Sequence, residues 1–242
     1  MSHETLNLEQ TARYLHLASA KLEQLVRRHE IPFEVCGARV MFRKHELDFW
    51  ASRRIMEFDG RQLQDYHGHS HRGTMATVDR QPLVRNLLNQ RGIVADLRAK
   101  TRPSVLRGMV ALADRTGLLV FPEDLLTSLE EREALCSTAL PGGLALLHPR
   151  HHDEYMFEES FVLLARTSKP IPFHAPDGKC TDIFFLLCCR DDRLHLHLLS
   201  RLCMMCLQTR LLDRLREAPG AAVMAAAVEE TENEVMKTTK KE

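Results

Sequence analysis

The chain has 242 residues, with 33 Lys plus Arg against 33 Asp plus Glu and 44% hydrophobic residues. This is the composition of a globular protein of one large or two smaller domains. The charge balance excludes a protein that coats nucleic acid through a broad basic surface, yet leaves room for a small, locally basic DNA-reading module. No apolar run approaches the ~20 residues that span a bilayer. The opening Met-Ser-His-Glu-Thr has neither a basic nor an apolar leader region, so a cytoplasmic chain without membrane insertion is expected. Cys36, Cys136, Cys180, Cys188, Cys189, Cys203 and Cys206 are odd in number, with two adjacent and several in apolar runs, which reads as reduced thiols rather than a disulfide framework.

In chain order, Leu8, Ala12 and Leu15 recur at helical spacing behind Asn7, a capping residue with Gln10 three positions on. After a break at His16-Leu17-Ala18, Ser19 is the expected cap of a second helix with Leu22, Leu25 and Val26 inward. Its outer face carries Lys21, Gln24, Arg27 and Arg28, side chains suited to phosphates and base edges. Pro32 is the expected stop of that helix. Phe33 to Phe42 fits a hairpin turning at Cys36-Gly37-Ala38 with Arg39 near its tip, and Arg43 to Arg54 fits a third helix with Leu47 and Trp50 on one face. The stretches LNLEQTARYLHLASAKLEQLVRRHEIP and FEVCGARVMFRKHELDFWAS together resemble the excisionase-type and MerR-like winged helix-turn-helix domains. The resemblance implies that the second helix enters a major groove while the wing touches the backbone. Candidate DNA contacts are therefore Ser19, Lys21, Gln24, Arg27, Arg28, Arg39 and Arg43. Residues 1 to 54 hold nine Lys/Arg and seven Asp/Glu. So small an excess predicts that tight DNA binding needs a homodimer or a second contact.

Residues 59 to 82, DGRQLQDYHGHSHRGTMATVDRQP, are polar and glycine-rich and read as a linker. The His67, His69 and His71 alternation within them is read as solvated linker rather than a metal site. The expected domains are thus 1–58, a linker at 59–82, an α/β domain at 83–220 and a flexible tail at 221–242.

Beyond Leu83, helix-like stretches alternate with strand-like ones. Ser104 to Arg115 is amphipathic, Pro122 opens a helix running to Arg132, and Leu144–Leu147, Phe161–Ala165 and Ile183–Cys188 are apolar runs expected of buried strands. A long helix is expected over about His195 to Arg216. Within it Cys203-Met-Met-Cys206 follows the apolar periodicity and reads as core filler. This alternation predicts an α/β sandwich with a central mixed sheet flanked by helices. Gly142 and Gly143 give a permissive turn before a short strand, and His148 follows that strand, then Pro149. A neutral imidazole held there is a competent nucleophile toward a phosphoryl group. His195, at the expected helix start, would meet the anion beside free amide groups. His197 points about 200° away from it, so only one of the two can face the site.

Four stretches resemble the fructose/mannitol- and nitrogen-type EIIA domains of the bacterial phosphotransferase system: EREALCSTALPGGLALLHPR, SFVLLARTSKPIPFHAPDGKCTDIFFLL, HLHLLSRL and RLLDRLREAP. The resemblance implies a phosphohistidine phosphotransferase component of sugar transport or nitrogen regulation. In it, His148 accepts phosphate from an HPr-type carrier, and His195 hydrogen-bonds the phosphoryl group. Arg132 anchors the loop or neutralises phosphate, and Thr138 belongs to the family's Ser-Thr pair. An EIIB-type protein is the implied acceptor, and nothing in the pattern calls for a cofactor or a metal. Two departures stand out: Leu147 replaces the usual proline before the histidine, and Cys136 replaces a small residue. Leu147 is expected to slow transfer rather than remove it. The domain order implies a phosphorylation-responsive transcriptional regulator, with added phosphate altering domain docking or oligomer state. The rivals are a plain phosphocarrier with a protein-binding N-terminal module and an unphosphorylated regulator.

Overall fold

The computed structural model describes residues 4–75 and 83–239, with side chains described through Ser70 and from Leu83 to Lys237. The chain opens with β1 (Thr5–Asn7), α1 (Leu8–Tyr14), α2 (Ser19–Arg27), β2 (Glu34–Cys36), β3 (Arg39–Arg43) and α3 (Lys44–Glu57). Asn7 and Gln10 form a reciprocal capping box at α1. Ala18, not Ser19, is the cap residue of α2 and makes no side-chain bond, so Ser19 is the first helical residue. Nor does Pro32 end this helix: α2 stops at Arg27, and His29 takes a left-handed φ of 55°. The β2–β3 hairpin turns at Gly37, whose φ of 65° suits a residue without Cβ. The strand β1, which sequence patterning passes over, adds to β3 and completes a three-stranded sheet.

Over the stretch expected to be linker the structure has a helix, α4 (Gly60–Met75). Asp59 caps it, accepting from Gln62 N at 2.9 Å, while Gln62 Oε1 accepts from Asp59 N at 3.2 Å. Leu63, Tyr66, His67 and Ser70 recur at helical spacing and are buried. Composition pointed to a linker because the buried polar groups of α4 find their partners far away in sequence, on a later helix. Residues 76–82 of the expected linker, and the side chain of His71, lie outside the described set.

The second part comprises α5 (Val84–Leu87), β4 (Leu88–Val94), α6 (Arg102–Asp114), α7 (Pro122–Leu135), β5 (Ala139–Leu140), β6 (Leu144–Leu147), β7 (Phe161–Ile171), β8 (Thr181–Cys188), α8 (Asp192–Leu207), α9 (Leu211–Glu217) and α10 (Ala221–Thr239). Its sheet runs β4-β7-β8-β6-β5 and is mixed: β4 is parallel to β7 and β6 to β8, while β7–β8 and β5–β6 are antiparallel. Successive side chains alternate between faces. Leu163, Ala165, Phe184 and Leu186 pack with α6 and α7, whereas Val162, Leu164, Phe185 and Leu187 share a core with α8 to α10 and with the N-terminal helices. The N-terminal part therefore packs on the α/β part through one continuous core, with α3 and α4 against α8. Among the described residues no helix is long and apolar enough to cross a membrane.

Two further expectations are corrected. The long helix is two: α8 ends at Leu207, and α9 begins at Leu211. The tail expected to be flexible is α10, with Met224, Val228, Thr231, Glu232 and Val235 buried. Glu232 pairs with Arg201 at 3.1 Å and accepts from Val84 N and Arg85 N at 2.7 and 3.1 Å, so its buried charge is compensated and the helix is held down.

Candidate functional site

Gly142 and Gly143, with φ of 87° and 85°, turn the chain between β5 and β6. A Cβ on Gly143 would meet Arg216 Nη2 at 2.6 Å and Asp182 Oδ1 at 2.8 Å. Only glycine admits this close approach, and it delivers β6, paired to β8, in register to its end. His148 follows β6 directly. Its Nδ1 lies 2.8 Å from the Leu146 carbonyl oxygen, which can only accept, so Nδ1 carries the proton. The lone pair is then on Nε2, which accepts from Arg132 Nε at 3.0 Å.

Arg132 comes from the last turn of α7 and also donates to the Cys136 carbonyl oxygen at 2.9 Å. The Cys136 sulfur receives the same guanidinium nitrogen at 3.3 Å. Thr138 does not line the imidazole pair in these contacts: its N–H and hydroxyl both donate to Glu133, the neighbour of Arg132. The His195 ring lies 4.8 Å from that of His148, and the His152 ring 4.1 Å from that of His195. His152 Nδ1 bonds Asp192 Oδ1 at 2.8 Å. The ring of His197 instead stacks on His67 at 4.9 Å.

The expected anion site at the helix start is not formed as described. His195 is the fourth residue of α8, the cap is Asp191, whose carboxylate takes the Leu194 amide at 2.8 Å, and Asp192 adds a second negative charge. Carboxylates thus already hold this terminus. Counter-charge near the two imidazoles comes from Arg132. Burial, then the Arg132 guanidinium, pushes the His148 imidazolium well below its usual range; burial and the neighbouring His152, His148 and Arg132 do the same for His195. Both rings are neutral near pH 7. Arg132 Nη2, His195 Nδ1 and His152 Nε2 are buried without a hydrogen-bond partner among the described residues.

This cluster is closed by α3. Phe49 lies against the Arg132 guanidinium at 5.2 Å, Ser52 Oγ is 3.2 Å from His195 Nε2, and Lys44 Nζ is 2.9 Å from Asp192. His148 is 2% exposed and His195 0%. Asp48 bonds the Tyr14 hydroxyl, and burial plus the Asp192 charge raises its carboxyl to about 7. Sequence reading passed over Phe49 and Ser52 and took His152, just past the site, for a solvated residue, whereas its side chain is buried against His195. No local signal marks the two α3 residues, whereas His152, four positions past His148, is visible as a second histidine near the loop.

The candidate DNA contacts lie elsewhere. Ser19, Lys21, Arg27, Arg28, Arg39 and Arg43 are exposed and Gln24 is half-buried. Several are paired within the module: Arg27 with Glu23 at 3.7 Å, Arg28 with Glu30 at 3.8 Å, and Arg43 with Glu34 at 2.5 Å.

Residues 86–230, more than half of the chain, match the family described as phosphoenolpyruvate-dependent sugar phosphotransferase system, EIIA 2. The chain belongs to this EIIA family. Among solved structures, the EIIA segment is similar to the nitrogen regulatory protein IIA-Ntr from Neisseria meningitidis, at 26% identity and TM-score 0.54, covering 60% of this chain and 98% of that one. It shares its fold with the mannitol IIA of Escherichia coli, at 15% identity and TM-score 0.51, covering 58% of this chain and 97% of that one. A third similar structure is the E. coli complex of mannitol IIA with phosphorylated mannitol IIB, at 14% identity and TM-score 0.52, covering 60% and 99%. No curated protein matches the chain. The EIIA match begins at residue 86, so α1 to α4, including the helix that closes the cluster, lie outside it.

Proposed function

We propose that this protein is a cytoplasmic regulator that accepts a phosphoryl group on His148 Nε2 from an HPr-type donor and reads DNA through its N-terminal segment. The observation that supports it best is the convergence of His148, His195 and Arg132, with unpartnered buried nitrogens around a fixed imidazole tautomer. Those nitrogens are what a phosphoryl group's oxygens would satisfy.

In the step we propose, the Nε2 lone pair of His148 attacks the phosphorus of the donor's phosphohistidine. The donor's P–N bond breaks, its electron pair returns to the donor imidazole, and a P–Nε2 bond forms. Nδ1–H stays on the Leu146 carbonyl throughout and holds the ring's orientation. Arg132 transfers its hydrogen bond from Nε2 to a phosphoryl oxygen, and His195 donates to another. Thr138 acts at one remove, by holding Glu133 beside Arg132. Onward transfer to an EIIB-type acceptor is the same step reversed. The DNA role draws support from the exposed basic side chains of α2 and the β2–β3 hairpin, and their internal ion pairs fit a module that needs a second copy or a second contact for tight binding.

Incubation with the phosphorylated donor and phosphoenolpyruvate-charged enzyme I should give acid-labile label that His148→Ala abolishes. Label that persists in His148→Ala, or none in the wild type, sinks the assignment. A second reading, an EIIA domain that senses partners without being phosphorylated, is favoured by the near-complete burial of His148 and His195; it predicts no label under any condition.

A further inference from the structure

We propose that α3 occupies the surface on which the phosphoryl donor must dock, so that the N-terminal module and the donor compete for one face of the EIIA domain. This rests on the assignment of His148 as the acceptor. An in-line attack runs along the Nε2 lone pair, and that direction is taken by Arg132 Nε at 3.0 Å. Phosphorus bonded to Nε2 would fall between the two, so Arg132 has to swing aside before the bond can form. Phe49 covers the guanidinium and blocks the swing. Ser52 holds the second imidazole through Nε2, and Lys44 holds the Asp192 carboxylate that anchors His152. Three residues of one helix, at positions 44, 49 and 52, therefore restrain three members of the site.

α3 covers the site as a docked protein would, with an apolar side chain over the arginine, a hydroxyl on an imidazole and a cation on a largely buried carboxylate. The donor cannot reach His148 with α3 in place, because His148 is 2% exposed and the Arg132 guanidinium on its Nε2 lies under Phe49. Once transferred, the phosphoryl group fills the space between Nε2 and the displaced Arg132. Return of the Arg132 side chain, and with it of Phe49 and α3, is then opposed by volume. Donor binding and phosphorylation both release the module, and a docked module slows both. The competing partner is a protein carrying phosphohistidine with an apolar contact beside it, not a small phosphate ester, which has no body to displace a helix.

Two measurements on the full chain test this. The first compares the initial rate of labelling by the phosphorylated HPr-type donor in wild type, Phe49→Ala, which uncovers the guanidinium without adding a charge, and Phe49→Tyr. The expected result is labelling at least tenfold faster in Phe49→Ala and near wild type in Phe49→Tyr. Equal rates in all three overturn the competition while leaving His148 as acceptor; no label in any of them overturns the acceptor assignment and the competition with it. The second needs no variant: hydrogen exchange across residues 44–57, before and after phosphorylation. Loss of protection in α3 with that of α6 unchanged supports release; unchanged α3 protection in a fully labelled protein refutes it.

Discussion

One helix, α8, carries two histidine clusters built from the same parts. At the first, Arg132 Nε donates to His148 Nε2 at 3.0 Å, the second ring, His195, lies 4.8 Å away, and Ser52 bonds that ring. At the second, Arg201 Nε donates to His67 Nε2 at 3.1 Å, the second ring, His197, lies 4.9 Å away, and Ser70 bonds that ring at 2.9 Å. They differ in counter-charge. Arg201 meets Glu232, 0% exposed, at 3.1 Å, whereas the hydrogen bonds of Arg132 among the described residues go to neutral groups and the neighbouring Glu133 carboxylate acts on it through space. A buried guanidinium paired with a buried carboxylate is a finished structural network. One without a directly bonded anion, beside a neutral imidazole, leaves room for an anionic ligand. The residue inventory alone does not separate core from site; the presence or absence of a directly bonded anion does.

Breaking the balance at the structural cluster should give the largest effect. Glu232→Gln takes the buried carboxylate away from the Arg201 guanidinium and is expected to cost about 3–5 kcal/mol of stability, read as a lowered denaturation midpoint. Arg132→Gln removes a charge with no directly bonded carboxylate, so stability should fall far less than in Glu232→Gln, while labelling of His148 falls on the order of 100-fold. A loss of stability as large as that of Glu232→Gln would erase the distinction between the clusters.

The pH response sharpens the comparison at the docked face. The Asp48 carboxyl is raised to about 7 in the folded protein from an ordinary value near 3.8. Its contribution is therefore fully present below the unfolded value and lost as pH rises through about 7. Asp48→Asn should flatten that loss. Relative to wild type, the variant gains up to about 1 kcal/mol per pH unit between pH 4 and 7. The depressed His148 and His195 act in the opposite sense, present above their unfolded value and lost as pH falls, so the difference between the two proteins isolates the carboxyl. The smallest effect is expected on DNA. Arg27→Ala should weaken binding uniformly across sequences and reduce the salt slope by roughly one ion, measured by titration at several salt concentrations.

The site's core was legible locally. The double glycine before an apolar run places His148 at a strand end, and the 200° offset along a helix allows only one of His195 and His197 to face it. The helix α4 was half legible: Asp59 and Gln62 have capping-box spacing, and Leu63, Tyr66, His67 and Ser70 the right periodicity, but glycine and histidine content outweighed them. The start of α8 was misplaced because Asp191, a sound cap, lies in a run of charged residues that reads equally well as a loop.

By itself, the sequence determined the helix periods, the capping box of α1, the glycine turn and the histidine behind it, because each is settled by neighbours within a few positions. Only the tertiary structure decided which polar residues are buried, which histidine pair has an arginine without a directly bonded carboxylate, and that Phe49 and Ser52 lie against the cluster. Those outcomes depend on partners far along the chain: Ser52 and His195 are 143 positions apart, and Ser70 and His197 are 127. Burial of a charge is favourable or ruinous according to the one group brought against it, and no local pattern encodes that group.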